Sequence, residues 1–323
     1  MAEFQTTFFN ILGETVPVFL IIGAGCLCRL VGLVTESSEK NIMTLALNVL
    51  YPCFIISKVC GNQSLQQVSV VATAFTAGLS LTVIALALSA GVSRLLKLKS
   101  GAERNTFTVS GAIQNYGFIP IPLIEGLFPA DAKETLGVLF VHNLGLELAL
   151  WTIGVVIISG TRTGMWRRLI NGPTVAITVG LFLNFTSGYR LIPPVANDAM
   201  TQLGNCAIPV SLLLVGVSLA GVVLNDKWLS GWRIPVAAIV LRFLMMPVLF
   251  LLAAQLLSHT KPLMLILLVE AAMPAAVFPI VIAKHFGGKP AVAVEIVVFT
   301  TIASLALTPV ILTSAIWLFG LSI

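Results

Sequence analysis

Charge is scarce in this sequence. Only 10% of its 323 residues are Asp, Glu, Lys or Arg, against roughly 25% in a soluble domain, whose surface must face water. That shortage excludes an ordinary water-facing surface. Cysteine is sparse as well: Cys26, Cys28, Cys53, Cys60 and Cys206 all lie in or beside apolar runs. No Cys-x-x-Cys pair is available for zinc, so these residues are expected as small core side chains, and neither a metal nor a cofactor is expected. His-Glu-x-x-His and Gly-x-Ser-x-Gly are both absent, which argues against an intramembrane enzyme. The alternating ten-residue segments of a porin-like barrel are missing too. Met1 to Asn10 contains Glu3 but no Lys or Arg. Without the basic start of a cleaved signal peptide, the first apolar run is expected to remain as a helix.

What the sequence has in abundance is apolar length. Hydrophobic residues make up 58% of the chain, its mean hydropathy is +1.03, and about 20 such residues suffice to cross a hydrocarbon core as a helix. Apolar runs between charged or Gly/Pro-rich breaks predict an all-α membrane protein of ten transmembrane helices. The expected spans are 10–32, 40–60, 67–95, 104–128 and 135–160 in a first half (1–160). In a second half (161–323) they are 172–188, 198–223, 232–257, 262–285 and 290–320.

The net charge of +5 does not point to nucleic acid, because the basic residues sit in short loops between apolar runs, where they report topology. With the N-terminus outside, the inner loops hold Arg29, Lys40, Arg94, Lys97, Lys99, Arg104, Arg162, Arg167, Arg168, Lys227, Arg233, Lys284 and Lys289. The outer loops hold only Lys58, Lys133, Arg190 and Lys261, and Arg242 lies within a span. Both termini are therefore expected outside, with Trp166, Trp228 and Trp232 near the inner interface. Five spans per half is an odd number, so a second copy of the first half would enter the membrane inverted. Asn48-Val-Leu-Tyr-Pro52 recurs as Asn205-Cys-Ala-Ile-Pro209, and at the same offset Pro122 falls on Pro279. Inverted repeats of this kind are a mark of secondary transporters.

Two spans carry proline at mid-depth. Span four contains Gln114-Asn115-Tyr-Gly117-Phe-Ile-Pro120-Ile-Pro122, and span nine contains Glu270-Ala-Ala-Met-Pro274-Ala-Ala-Val-Phe-Pro279. Proline removes a backbone donor and clashes with the preceding turn, so both helices are expected to unwind there. Irregular backbone at that depth survives only against protein or a water-filled cavity, and matched broken helices point to a transport site. The half-helix N-termini at the breaks would suit a carboxylate.

Other polar residues inside the spans are candidates by cost alone. Arg242 is expected either to hold an anionic substrate or to pair with Glu147. Glu147 and Glu270 can each be a proton carrier, a cation ligand or half of a structural ion pair. His142 is a further coupling candidate or a hydrogen-bonded core histidine. Asn48 and Asn205 are expected to satisfy backbone freed by the proline four residues on, or to line a substrate path. Glu295 is expected to reach the inner interface. Asn62-Gln-Ser and Asn184-Phe-Thr match the short glycosylation motif.

The run Asn115-Tyr-Gly117-Phe-Ile-Pro-Ile-Pro122-Leu resembles the helix-four signature of the auxin efflux carrier (PIN-like) family. Ala272-Met-Pro274-Ala-Ala-Val-Phe-Pro279 resembles its helix-nine crossover, and Thr300 to Pro309 its last helix; the likeness runs the length of the chain. The resemblance implies a fold akin to bile-acid/sodium symporters. Helices four and nine would cross in a transport domain (helices three to five and eight to ten) beside a scaffold of helices one, two, six and seven, paired as a homodimer. It also implies a small organic anion as substrate, auxin-like or a mono- or dicarboxylate, with the crossover asparagine, here Asn115, contacting it. H+ or Na+ would be the coupling ion. The loop between Gly160 and Gly172 is short where plant carriers are long, which matches a bacterial-type carrier of the inner membrane.

Overall fold

In hydrocarbon a single segment satisfies all its amides only as a helix, and the described residues of this chain are predominantly helical. The structure is a computed structural model that describes residues 2–98, 101–161, 170–225, 231–257 and 260–321. Among these there is no strand, only one isolated antiparallel bridge. The helices are α1 (Ala2–Leu30), α2 (Glu36–Val59), α3 (Val68–Leu95), α4 (Gly101–Ala112), α5 (Pro120–Leu127), α6 (Ala132–Ser159), α7 (Gly172–Phe185), α8 (Pro194–Asn205), α9 (Ala207–Asn225), α10 (Arg233–Leu256), α11 (Lys261–Ala271), α12 (Phe278–His285) and α13 (Pro290–Leu318).

Among the described residues, seven stretches are long and apolar enough to cross a membrane: α1, α2, α3, α6, α8 continuing into α9, α10 and α13. Helix α7 is apolar but has only 14 residues. The expected spans 104–128 and 262–285 are each split in two, α4 from α5 and α11 from α12. Lys99, Arg162, Trp166, Arg167, Arg168, Lys227 and Trp228, which carry part of the expected loop charge and aromatic belt, lie outside the described residues. Trp232 is exposed beside the start of α10.

Among the described residues, three helices widen into a π turn: Ala46–Leu50 in α2, Leu150–Gly154 in α6 and Leu241–Met245 in α10. In α2 and α10 a proline follows two residues later, Pro52 and Pro247. Proline has no amide for the carbonyl four residues back, and the ladder slips register ahead of it. Asn48 lies in the first of these turns, but its Nδ2 donates to Thr44 O at 2.8 Å, one turn before the carbonyl that Pro52 frees.

Glycines let pairs of helices touch backbone to backbone, as in membrane bundles generally. A Cβ on Gly78 of α3 would lie 1.9 Å from His142 O of α6, and one on Gly145 of α6 would lie 2.0 Å from Phe75 O of α3. The α1–α9 pair repeats this, with Gly216 against Ile22 O at 1.9 Å and Gly25 against Leu213 O at 2.1 Å. Helix α2 packs on α7 and α8, where Gly204 meets the Phe54 backbone. The two glycosylation-like asparagines are structural. Asn184 Nδ2 donates to Asn62 O (2.9 Å), and Asn62 Nδ2 donates to Lys133 O (3.1 Å), tying the α2–α3 connection to α6 and α7.

Outward faces are apolar, with Leu20, Leu27, Phe182, Leu244 and Leu256 all exposed. The cysteines are not in the fully buried core: Cys206 is exposed and the other four are half-buried, all of them free. Gly145→Val should cost about 1–3 kcal/mol through overpacking against an unyielding backbone. Gly13→Val, where a Cβ meets nothing within 4 Å, should leave the thermal midpoint in detergent unchanged; equal midpoints for the two variants would contradict the packing account.

Candidate functional site

The two helix breaks meet. Gln114 and Ala275 face each other across the antiparallel bridge. Asn115 N donates to Pro274 O at 2.7 Å, and Ala276 N donates to Ile113 O at 2.9 Å. Buried backbone that leaves a helix must find other partners, and here each break supplies the other's.

Three further helices satisfy what the bridge leaves over. Asn143 of α6 donates from Nδ2 to Tyr116 O at 2.9 Å. Thr300 of α13 accepts from Ala275 N at 3.1 Å while its hydroxyl donates to Ile296 O at 2.6 Å. One face further along, Thr308 Oγ1 donates to Ala272 O at 2.7 Å. Arg242, in the π turn of α10, donates from Nη2 and Nε to Met273 O (2.9 and 3.2 Å) and from Nη1 to Ala112 O (3.4 Å).

The prolines act differently from the expectation. Pro120 and Pro122 stand in the first turn of α5 and Pro279 in the first turn of α12, where a missing amide costs no helical bond. They start the second half-helices; the unwound residues precede them. Only Pro274 sits within a break, contributing its carbonyl. Asn115 Oδ1 accepts from Phe118 N (3.0 Å) and Ile119 N (3.2 Å), so this side chain caps the entry to α5. A Cβ on Gly117 would meet no atom within 4 Å, so the first break is open on that side.

Behind the bridge lies a fully buried polar cluster. Glu270, in the last turn of α11, accepts from Gln114 Nε2 at 3.1 Å, and its other oxygen is 3.6 Å from His142 Nδ1. Glu147 is not the partner of Arg242. It accepts from Asn171 Nδ2 (3.4 Å) and Thr174 Oγ1 (3.5 Å) at the start of α7, where the helix dipole favours a carboxylate. Arg242 turns instead to carbonyls that the breaks expose. Glu295 is completely buried and does not reach an interface, because the first turns of α13 pack on α4.

Beside the crossing, a cavity of about 330 Å³ opens between α1, α2, α5, α8 and α9. Pro122, Asn205 and Pro209 line it, together with Glu14, Glu125 and Phe54. Glu125 is paired with Lys58 at 2.8 Å. Asn48 does not line this cavity and lies on an exposed face. The structure thus brings Gln114, Asn115, Pro274, Glu270, His142 and Arg242 together and places Pro122 and Asn205 in the adjoining cavity. It keeps Asn48 apart from both and turns Glu147 to the start of α7.

Asn143, Thr300 and Thr308 carry no role in the sequence reading. Their available signal was spacing: Thr300 and Thr308, eight residues apart, share one face of an otherwise apolar helix. Thr300→Val should leave the buried Ala275 amide without its acceptor and cost about 1–3 kcal/mol. Thr313→Val, which removes only a bond to Pro309 O within α13, should cost measurably less in the same thermal unfolding assay.

Residues 10–165 and 161–312 match the family described as membrane transport protein. Auxin efflux carrier component 3 of Arabidopsis thaliana is 25% identical over 148 residues, covering 45% of this chain and 23% of that protein. The aligned stretch therefore spans about a quarter of that curated relative's length. With matches that run through both halves, the chain belongs to the membrane transport protein family that includes the auxin efflux carriers.

Proposed function

We propose that this chain is a secondary carrier of small organic anions, auxin-like or mono- or dicarboxylate, working by alternating access at the crossing of residues 113–119 with 272–277. The observation that carries the reading is the mutual hydrogen bonding of two helix breaks inside a transport-family protein. Counting α4–α5 and α11–α12 as one broken span each, and α7 as a short one, gives ten spans in two inverted halves, 1–160 and 161–323. The packing of α1 on α9 and of α2 on α7 and α8 supports a scaffold of those helices. Helices α3–α6 and α10–α13 then form the transport domain. Homodimerisation through the scaffold, a plasma membrane of bacterial type and both termini outside complete the reading.

The N-terminal ends of α5 and α12 follow directly from the breaks, and their partial positive charge suits a carboxylate. Asn115 Oδ1 is committed to capping α5, which leaves Nδ2 to donate to the substrate. Gln114, Gly117, Pro274 and Pro279 shape the crossing, while Pro122 and Asn205 line the approach. Arg242 acts from behind the bridge. Glu270 and His142, fully buried and 3.6 Å apart, are the pair placed to exchange a proton with the cycle.

Asn115→Asp keeps a capping oxygen but sets a negative acceptor where a donor is needed. Initial uptake of labelled acids into proteoliposomes should fall about tenfold or more, since 1.4 kcal/mol already gives that factor, with thermal stability preserved. Asn115→Ala should lose uptake and also about 1 kcal/mol of stability with the cap. Undiminished uptake by Asn115→Asp would remove Asn115 from the site. Substrate on the far side should accelerate flux, as it does for a carrier and not for a passive pore. Uptake that follows a Na+ gradient and ignores pH would favour the alternative, a sodium-coupled symporter of the bile-acid type.

A further inference from the structure

Among the described residues, Arg242 is the largest side chain with no exposure at all. An unpaired charge in such a place is expensive, yet its three hydrogen bonds all go to main-chain carbonyls, those of Ala112 and Met273. Ala112 is the last residue of α4, and Met273 lies two residues past the end of α11. The guanidinium therefore joins the C-terminal ends of both first half-helices, where the macrodipoles place partial negative charge. Glu270, three residues before Met273, adds a buried carboxyl group near them. Carbonyls at the ends of broken helices, together with a buried carboxylate, form the oxygen-rich environment in which a transporter holds a free monovalent cation. Here the oxygens already have a cation.

We propose that Arg242 is the resident cation of the crossing: its guanidinium stands where a free sodium ion would otherwise bind, and it holds the two breaks together without ion uptake at that place. The planar fork suits this better than an ammonium would. Its donors reach carbonyls from two different helices at once, whereas a lysine offers a point charge. The π turn Leu241–Met245 places Arg242 at this level of α10. The consequence for coupling, that the carrier needs no sodium at the crossing, rests on the function proposed above; the structural assignment does not.

The test is chemical rescue, read as thermal midpoint in detergent and needing no substrate. Arg242→Ala should unfold at a markedly lower temperature than the wild type. Millimolar guanidinium should raise its midpoint by several degrees, sodium should raise it less, and tetramethylammonium at equal ionic strength should not raise it. The wild type should not distinguish these salts. Should Arg242→Ala fail to fold, Arg242→Lys and Arg242→Met decide the matter. The lysine variant retains a tethered cation and should be the more stable, and a methionine variant as stable as the wild type would overturn the proposal. So would an Arg242→Ala protein that responds identically to guanidinium and tetramethylammonium. Rescue of the variant's stability together with no uptake by the wild type in liposomes would leave Arg242 as the resident cation and reject the carrier reading instead.

Discussion

A peptide group that leaves its helix inside an apolar bundle has no water to turn to, and this protein contains two stretches of such groups. Their solution is mutual. Asn115 N reaches Pro274 O, and Ala276 N reaches Ile113 O, so neither break is tolerable without the other. An unsatisfied buried amide or carbonyl costs about 1–3 kcal/mol, and removing one break's backbone from the bridge would expose several at once. Folding of the two halves is therefore tied together at one place, and so is any motion that changes that place.

The bridge depends in turn on the helices that frame it. Asn143 supports Tyr116 only because α6 is held at a fixed height, and that height is set where Gly78 of α3 lies against the His142 carbonyl. The same contact fixes His142 beside Glu270. Helix α10 reaches the crossing through a π turn that precedes Pro247, and the local widening carries Arg242. Small residues and helix irregularities, which look like weaknesses along the chain, are what bring the polar groups to one level.

Most of the helical layout was legible from hydropathy, because long apolar runs have one solution in hydrocarbon. The breaks were legible from paired prolines, although the prolines begin α5 and α12 instead of unwinding a continuous helix. The partner of Arg242 was not legible. Sequence reasoning matches charge to charge and proposes Glu147, whereas the guanidinium binds main-chain carbonyls that have no residue type. Thr300 and Thr308 were hidden for a related reason: a hydroxyl in an apolar helix ordinarily bonds to its own preceding turn. Glu14 and Glu125 escaped notice because a cavity exists only once α1, α2, α5, α8 and α9 are assembled.

The two breaks are alike in outline and unlike in chemistry. The offset that aligns Pro122 with Pro279 sets Asn115 against Ala272 and Gly117 against Pro274. The first break therefore carries its own cap, Asn115, and an open glycine; the second carries neither. Its amide at Ala275 is held by Thr300, and its carbonyl at Ala272 by Thr308, both from α13. A shift of α13 along its axis would release the second break while leaving the first capped, since the Asn115 cap travels with α5. Polar recognition by side chains belongs to the first break, and susceptibility to helix movement belongs to the second.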